Sequence, residues 1–175
     1  MVNQIKINNI SLEIYVDELY KASCDAIVIP SNSRLLPSGS LRCKILKNAG
    51  VQVQIECNRI INKVSTIPIC GAIITSGGNL LSKNIIHANN SSRDKKSLMK
   101  TTWNALKLAD KKGLKEIVFS PLSKDIQGFT GKTAAGIMIP TIKKYITEQN
   151  KKIKKVRICL DTLPDYKAFE KELKA

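Results

Sequence analysis

Short apolar runs of strand length alternate with longer amphipathic stretches along this chain of 175 residues. The run DAIVIP (25–30) is continuous, as is typical of a strand buried on both faces, and KEIVFS (115–120) repeats the pattern. Between such runs, KKSLMKTTWNALKLADKKG (95–113) places apolar residues at helical spacing. The alternation predicts βαβ crossovers and therefore an α/β protein with three layers, α/β/α, around a central mixed, mostly parallel sheet.

The other segments complete this prediction. Residues 4–16 read as two strands joined by a turn at Asn8-Asn9, because asparagine tolerates turn conformations. Further predicted elements are one or two helices over 41–62 with a break at Gly50, a helix over 131–150 that Pro140 should kink unless it sits near the first turns, a strand over 155–161 and a helix over 163–174. With no repeat and no linker, one domain over 1–175 is expected.

The charge of the chain is strongly positive. Lysine and arginine number 29 against 14 acidic residues, which gives a formal net charge of +15. Such an excess favours anionic partners, including nucleic acid, nucleotides and acidic membrane surfaces. A solvated lysine-rich surface without a partner gives the same count, so both interpretations stay open here.

Cysteine and histidine usage argues against a metal site. The five cysteines are spread singly, no C-x-x-C pair occurs, and His87 is the only histidine, whereas structural zinc sites use close Cys/His pairs. No apolar run approaches the roughly 18 residues of a membrane span, and the start at Met1 lacks a signal-peptide pattern. We expect reduced thiols, a cytoplasmic or nuclear location and no membrane partner.

Polar loops follow four of the predicted strands. In sheets of this class the ligand crevice lies beyond the carboxyl ends of the strands, so these loops should gather at one edge. They are SNSRLLPSGS (31–40), SGGNLLS (76–82), NNSSRD (89–94) and SPLSKDIQGFTG (120–131). Small residues let backbone N–H groups approach an anion, which predicts a nucleotide-like ligand, although ordinary loops share this composition.

Common catalytic motifs are missing. GFTGKTAAG (128–136) resembles a phosphate-binding P-loop, but Ile126 stands where that motif needs its first glycine. No G-x-G-x-x-G follows the first buried strand, and no G-x-S-x-G is present. A histidine that closes an apolar run, as His87 does, is more often packed than catalytic.

Three segments in order resemble the macro domain family, an ADP-ribose-binding α/β module. IVIPSNSRLLPSGSLRCKI (27–45) is similar to the family's strand ending V-N-A-A-N and the S-x-L-x-G-G-G-G-V that follows. GAIITSGGNLLSKNIIHA (71–88) is similar to A-x-x-T-x-G-x-x-L-x-x-K-x-V-I-H, and EIVFSPLSKDIQGFTGKTAA (116–135) to a strand, Phe-Pro, a Ser/Gly-rich loop and Gly-aromatic. The resemblance covers nearly the whole chain and is nearest to the macro domain of the histone macro variants.

The resemblance implies a site for ADP-ribose or a related nucleotide. Glu18 falls where the family has an acid that contacts adenine, Asn32 where it contacts the distal ribose, and Phe129 would pack near that ribose. The full set of expected ligand-binding residues is Glu18, Asn32, Ser38, Gly39, Ser40, Leu41, Thr75, Ser123, Lys124, Asp125, Ile126, Gln127, Gly128 and Phe129. No cofactor or metal is implied.

Departures from the family pattern bear on activity. The glycine-rich loop becomes Pro37-Ser38-Gly39-Ser40, and Asp125 replaces a glycine of the second phosphate loop. Arg42 stands where the hydrolase branch has an acid, so we expect binding without hydrolysis and no catalytic residue. Two alternatives stay open: a module that binds nucleic acid or another polyanion through its basic surface, with a decayed pocket, and a hydrolase with an atypical site.

Overall fold

The structure is a computed structural model that describes residues 1–123 and 128–175. The strands are β1 (Val2–Ile7), β2 (Ile10–Val16), β3 (Ala26–Ser31), β4 (Ala72–Ser76), β5 (Asn84–Asn89), β6 (Glu116–Phe119) and β7 (Lys155–Leu160). The helices are α1 (Ser40–Ala49), α2 (Val51–Val64), α3 (Lys95–Lys111), α4 (Gly131–Glu148) and α5 (Leu163–Lys174), with a 3₁₀ turn at Leu19–Lys21.

The seven strands form one mixed sheet in the order β1-β2-β7-β6-β3-β5-β4. The five central strands, from β2 to β5 in that order, run parallel, and the edge strands β1 and β4 are antiparallel to their neighbours. The predicted three-layer fold with a mostly parallel sheet is confirmed. Because parallel strands point the same way, the carboxyl ends of β2, β3, β5, β6 and β7 share one edge of the sheet, called here the carboxyl edge.

Burial on both faces of the sheet explains the continuous apolar runs. Every residue of β3 is buried, and its side chains alternate between the two faces of the sheet, each of which packs against a separate hydrophobic core. Ala26 and Val28 face the core beneath α3, α4 and α5, whereas Ile27 and Ile29 face the core beneath α1 and α2. The helices therefore form two layers, and the sheet lies between them.

Local signals in the sequence fix the ends of several elements. Asn8 and Asn9 both have positive φ, 49° and 67°, and form the predicted turn between β1 and β2. The side chain of Asp94 accepts a hydrogen bond from the Ser97 amide at the start of α3, as N-cap residues do. Gly50, with φ of 95°, separates α1 from α2 in a conformation that favours glycine.

Two expectations about loops and helices need correction. The loop of residues 77–83 does not join the others at the carboxyl edge, because β4 runs antiparallel to β5 and Ser76 pairs with Asn84 at the opposite edge. Pro140 lies well inside α4 and does not begin the helix. Among the described residues, no helix is long and apolar enough to cross a membrane. All five cysteines lie in the described part of the chain and carry free thiols.

Candidate functional site

A cleft with a cavity of about 190 Å³ opens at the carboxyl edge of the sheet. Its walls come from the segment after β2, the first turns of α1, the segment after β6 and the end of β7. The lining residues are Asp17, Glu18, Leu19, Ser40, Leu41, Lys44, Ser120, Pro121, Cys159 and Asp161. The cleft therefore lies where the topology of an open parallel sheet places ligand sites.

Asn32 organises the loop that leads from β3 into α1. Its amide Nδ2 donates to the Leu36 carbonyl at 2.8 Å and to the Ser38 hydroxyl at 3.0 Å. Its Oδ1 accepts the Leu36 amide at 3.0 Å and the Arg34 amide at 3.2 Å. These bonds use the Asn32 side chain to fold the loop back on itself, an Asx-type turn. The asparagine at the end of the buried strand thus has a structural task in this protein.

Gly39 places the start of α1 in the cleft wall. It is the N-cap residue of α1 and has φ of 74° and ψ of 158°, a conformation that favours glycine. The first amide groups of a helix carry a partial positive charge and attract anions. The retained glycine is therefore the one that the backbone geometry requires.

Arg42 lies behind this loop, buried to 2% exposure. Its guanidinium donates to the Leu36 carbonyl at 2.9 Å, to the Leu35 carbonyl at 3.1 Å and, through Nη1, to His87 Nδ1 at 2.8 Å. Three of its nitrogen atoms thus hold the loop to the strand β5. At the position where the resemblance implies an acid in the hydrolase branch, this chain has a cation that points into the protein.

His87 extends this contact across the sheet to Thr75. The other ring nitrogen, Nε2, lies 2.8 Å from Thr75 Oγ1, and both side chains are buried. Burial lowers the pKa of His87 well below its ordinary value, and the nearby Arg42 cation lowers it further. A neutral imidazole can accept from Arg42 at Nδ1 while Nε2 donates to Thr75, so the chain Arg42–His87–Thr75 is fully hydrogen-bonded.

Three carboxylates surround the end of the cleft formed by β2 and β7. Glu18 pairs with Lys44 at 2.8 Å, while Asp17 Oδ1 accepts the Glu18 amide at 2.7 Å. Asp161 directly follows β7. The Cys159 thiol donates to the Asp17 carbonyl at 3.2 Å, and burial raises its pKa to about 11, so it is an unreactive thiol at neutral pH.

The segment after β6 forms another wall of the cleft. Ser120 is buried and donates through its hydroxyl to the Val28 carbonyl at 3.0 Å. The amide of Asn90, in the loop after β5, donates to the Leu122 carbonyl and so joins two of the predicted loops. Ser123 is buried, and Gly128 has φ of 86°. Phe129 packs against the core beneath α4.

The structure brings together part of the expected site. Glu18, Ser40 and Leu41 line the cleft, and Asn32, Ser38 and Gly39 belong to the loop beside it. Thr75 does not line it: its hydroxyl is buried against His87 on the far side of Arg42. Lys124, Asp125, Ile126 and Gln127 lie outside the described residues.

Sequence reasoning missed several lining residues. Lys44 lies one turn beyond Ser40 on α1, and Asp161 follows β7 at the same edge as the loops after β3 and β6. The rule that ligands lie beyond the carboxyl ends of parallel strands applies equally to β7 and would have found Asp161.

Comparison with known proteins gives the chain clear relatives. A family model described as Macro domain matches residues 28–138. A macro domain-containing protein of Listeria monocytogenes is 32% identical over 158 residues, covering 86% of this chain and 90% of the relative. A protein of Pantoea vagans named O-acetyl-ADP-ribose deacetylase 1 is 32% identical, covering 82% and 88%. Histone macroH2A1.1 of Capsaspora owczarzaki is 30% identical over 93% of this chain and 46% of its own length.

Solved structures agree with these relatives. A mutant of the Oceanobacillus iheyensis macrodomain, solved with ADPR, superposes with a TM-score of 0.92 at 30% identity and covers 99% of this chain and 97% of that one. The same macrodomain with ADP gives a TM-score of 0.91 at 30% identity, covering 99% and 95%.

Proposed function

Because this chain belongs to the macro domain family, we propose that its cleft binds ADP-ribose or a closely related adenine nucleotide, without hydrolysing it. The observation that carries the proposal is the cleft itself. It lies at the carboxyl edge of the sheet, with Glu18 at one end and the start of α1 in its wall. The Oceanobacillus iheyensis macrodomain, solved with ADPR and with ADP, supports the same ligand class.

The chemistry of the cleft suits an adenosine diphosphate group. A carboxylate such as Glu18 can accept from the amino group of adenine, and Leu19 offers an apolar contact for the ring. The backbone of residues 38–41 and the start of α1 would face the diphosphate, where amide donors and the helix dipole favour negative charge. Lys44, which already pairs with Glu18, adds a cation within the same wall.

The cavity is too small to enclose the whole of ADP-ribose. At about 190 Å³ it is smaller than the roughly 300–1,000 Å³ of typical small-molecule pockets, so it would enclose only one end of ADP-ribose. The distal ribose would then lie outside the cavity, beyond residues 38–40. Of the two residues expected from the sequence to contact that ribose, we assign Phe129 to this part of the ligand, whereas Asn32, whose amide is already fully hydrogen-bonded within its loop, would shape the loop beside it.

Arg42 is the reason for proposing binding without hydrolysis. Its guanidinium is buried and bonded to two loop carbonyls and to His87, so position 42 provides neither a carboxylate nor a base facing the cleft. The name of the Pantoea vagans relative nevertheless makes deacetylation of O-acetyl-ADP-ribose a second candidate function.

Calorimetry with ADP-ribose tests the binding proposal. We expect saturable binding by the wild-type chain, and Leu41→Glu should weaken it more than about tenfold, because a carboxylate would face the diphosphate. An acid suits the first turn of a helix, but Leu41 is half-buried against the core beneath α1 and α2, so a thermal melt must show that the variant is folded before its affinity is compared. Gln52→Glu places the same charge in the first turn of α2, away from the cleft, and should bind like the wild type.

Three outcomes would count against the proposal. Absence of heat and of any thermal shift at millimolar ADP-ribose would remove it, and equal binding by Leu41→Glu would place the ligand elsewhere. Steady release of acetate from O-acetyl-ADP-ribose by the wild-type chain, lost in Leu41→Glu but kept in Gln52→Glu, would replace binding by hydrolysis as the function.

A further inference from the structure

A second concave surface lies between α3 and α4, with a cavity of about 230 Å³. It is called here the helical groove and is lined by Met99, Lys100, Trp103, Asn104, Thr141 and Lys144. None of these residues lines the cleft at the carboxyl edge. The lining contains two lysines and an aromatic ring but no acidic residue.

Trp103 is held in a fixed position within the groove. Its ring packs edge-on against Tyr145, with centroids 4.9 Å apart and planes at 79°. The Tyr145 hydroxyl in turn donates to the buried Asp110 carboxylate at 2.9 Å. Trp103 nevertheless remains partly exposed. A rigid, partly exposed indole is a suitable platform for stacking another flat ring.

Exposed lysines continue from the groove along α3. Lys100, Lys107 and Lys111 are spaced by seven and then four residues, so they lie on one face of the helix. Asp110 is buried beside them and accepts the backbone amides of Lys151 and Lys152, at 3.0 Å and 2.7 Å, which fixes these two lysines near the end of α3. This set, with Lys144, is called here the lysine row.

The lysine row keeps its charge available. Within residues 1–123 and 128–175, none of its members forms an ion pair with an acid. Asp110 is the only acid of α3 and is turned inward. On α4 the only acid is Glu148, one turn beyond Lys144. A positive potential therefore extends from the groove to the loop between α4 and β7.

We infer that the helical groove binds single-stranded nucleic acid. One base stacks on Trp103, and the phosphates that follow contact Lys100, Lys144 and the rest of the lysine row. A charged groove that tracks a backbone, combined with an aromatic stacking surface, is the arrangement by which proteins bind single strands without sequence preference. In a duplex the faces of the bases are covered, and an acidic peptide would use the charge without a flat ring to stack on the indole.

The protein carries its own probe for this contact. Trp103 is the only tryptophan of the sequence, so its fluorescence reports the groove directly. Titration with a short oligothymidylate should quench this fluorescence, and the affinity should fall as salt rises, because bound phosphates release counterions. A duplex of the same length should quench the indole much less.

Paired charge reversals locate the site. Lys100→Glu with Lys144→Glu should weaken binding of a labelled oligothymidylate more than tenfold, measured by anisotropy. The matched control is Arg59→Glu with Lys63→Glu, two exposed positions on α2 in the other helical layer, and it should bind like the wild type. Trp103→Ala should lose about tenfold in affinity, as expected for one stacked base, and Trp103→Phe should lose less.

Several outcomes would contradict binding at the helical groove. Unquenched Trp103, equal affinity for duplex and single strand, or equal losses in the two double variants would show attraction by general charge alone. Displacement of the oligonucleotide by saturating ADP-ribose would assign it to the cleft. Because the groove and the cleft share no lining residue, failure of ADP-ribose binding leaves the quenching experiment unaffected.

Discussion

At the scale of single residues, Arg42 stabilises the candidate site through contacts that no motif reveals. Its three hydrogen-bonding nitrogens hold the carbonyls of Leu35 and Leu36 and the ring of His87, while its side chain is almost completely buried. The sequence identified the position as a departure from the family pattern but could not give the direction of the side chain. That direction depends on His87, which is 45 residues away along the chain.

Replacement of Arg42 tests this role. Arg42→Met keeps the length of the side chain but leaves His87 Nδ1 without its donor, at a cost of about 1–3 kcal/mol for a buried group left unpaired, whereas the Leu36 and Leu35 carbonyls keep Asn32 Nδ2 and Gln54 Nε2 as donors. We therefore expect the free energy of unfolding in urea to fall by about 1–3 kcal/mol. Arg34→Met, at an exposed position of the same loop, should change it by less than about 0.5 kcal/mol.

His87 gives the fold a predictable pH dependence. Its pKa is lowered in the folded protein from an ordinary value of 6.5, so below pH 6.5 the unfolded chain takes up a proton that the folded chain does not. Stability conferred by the neutral ring is therefore complete above pH 6.5 and decreases as the pH falls. Between pH 7 and pH 5 this one group should lower the free energy of unfolding by up to about 2 kcal/mol, the limit reached when the folded protein takes up no proton at His87.

The pH dependence of a His87→Gln variant isolates this contribution. Glutamine does not titrate, so the decrease in unfolding free energy between pH 7 and pH 5 should be smaller in the variant than in the wild type by about that amount. The comparison is made within each protein across pH, so any constant loss of stability caused by the substitution cancels. Parallel curves for the two proteins would show that His87 is not the titrating group.

At the scale of elements, strands and helices follow from the sequence more readily than strand direction does. The continuous run in β3 and the helical spacing in α3 give both elements correctly, because burial and period are local properties. The direction of β4 was missed. Only seven residues, 77–83, separate β4 from β5, whereas a parallel crossover needs a dozen or more. The length of this loop therefore indicates an antiparallel pair of strands, which the composition of the loop does not.

Asp110 joins two elements whose contact the sequence does not indicate. It lies at the end of α3 and accepts hydrogen bonds from Tyr145 on α4 and from the amides of Lys151 and Lys152 in the next loop. Asp110→Asn replaces one acceptor oxygen by an amide that faces backbone N–H donors. We expect a loss of about 1–3 kcal/mol in unfolding free energy.

A second substitution grades this effect. Tyr145→Phe removes only one of the bonds to Asp110 and should cost less, about 0.5–1.5 kcal/mol. Hydrogen exchange at the amides of Lys151 and Lys152 distinguishes the two variants, because only Asp110→Asn should expose these groups. Unchanged exchange in Asp110→Asn would show that the loop is held by other contacts.

At the scale of the whole molecule, the net charge of +15 hides an uneven distribution. Among the described residues, three carboxylates and one lysine line the cleft. Two lysines and no acid line the helical groove, and the lysine row continues from it, with Glu148 at the end of α4 nearby. Composition predicts anionic partners in general but cannot distinguish two separate surfaces for them. Their separation arises from the topology, which places the cleft at the sheet edge and the groove within one helical layer.

Separate surfaces predict independent ligands. A ligand at about 100 times its Kd stabilises the folded state by about 2.7 kcal/mol, and two ligands at unlinked sites should contribute the sum. We expect the unfolding free energy with ADP-ribose and oligothymidylate together to exceed that of the protein alone by the two separate increments added. Each Kd should also be the same whether the other ligand is absent or saturating. A combined increment no larger than the greater single one would mean that both anions compete for one site, and the two-surface description of this protein would then be wrong.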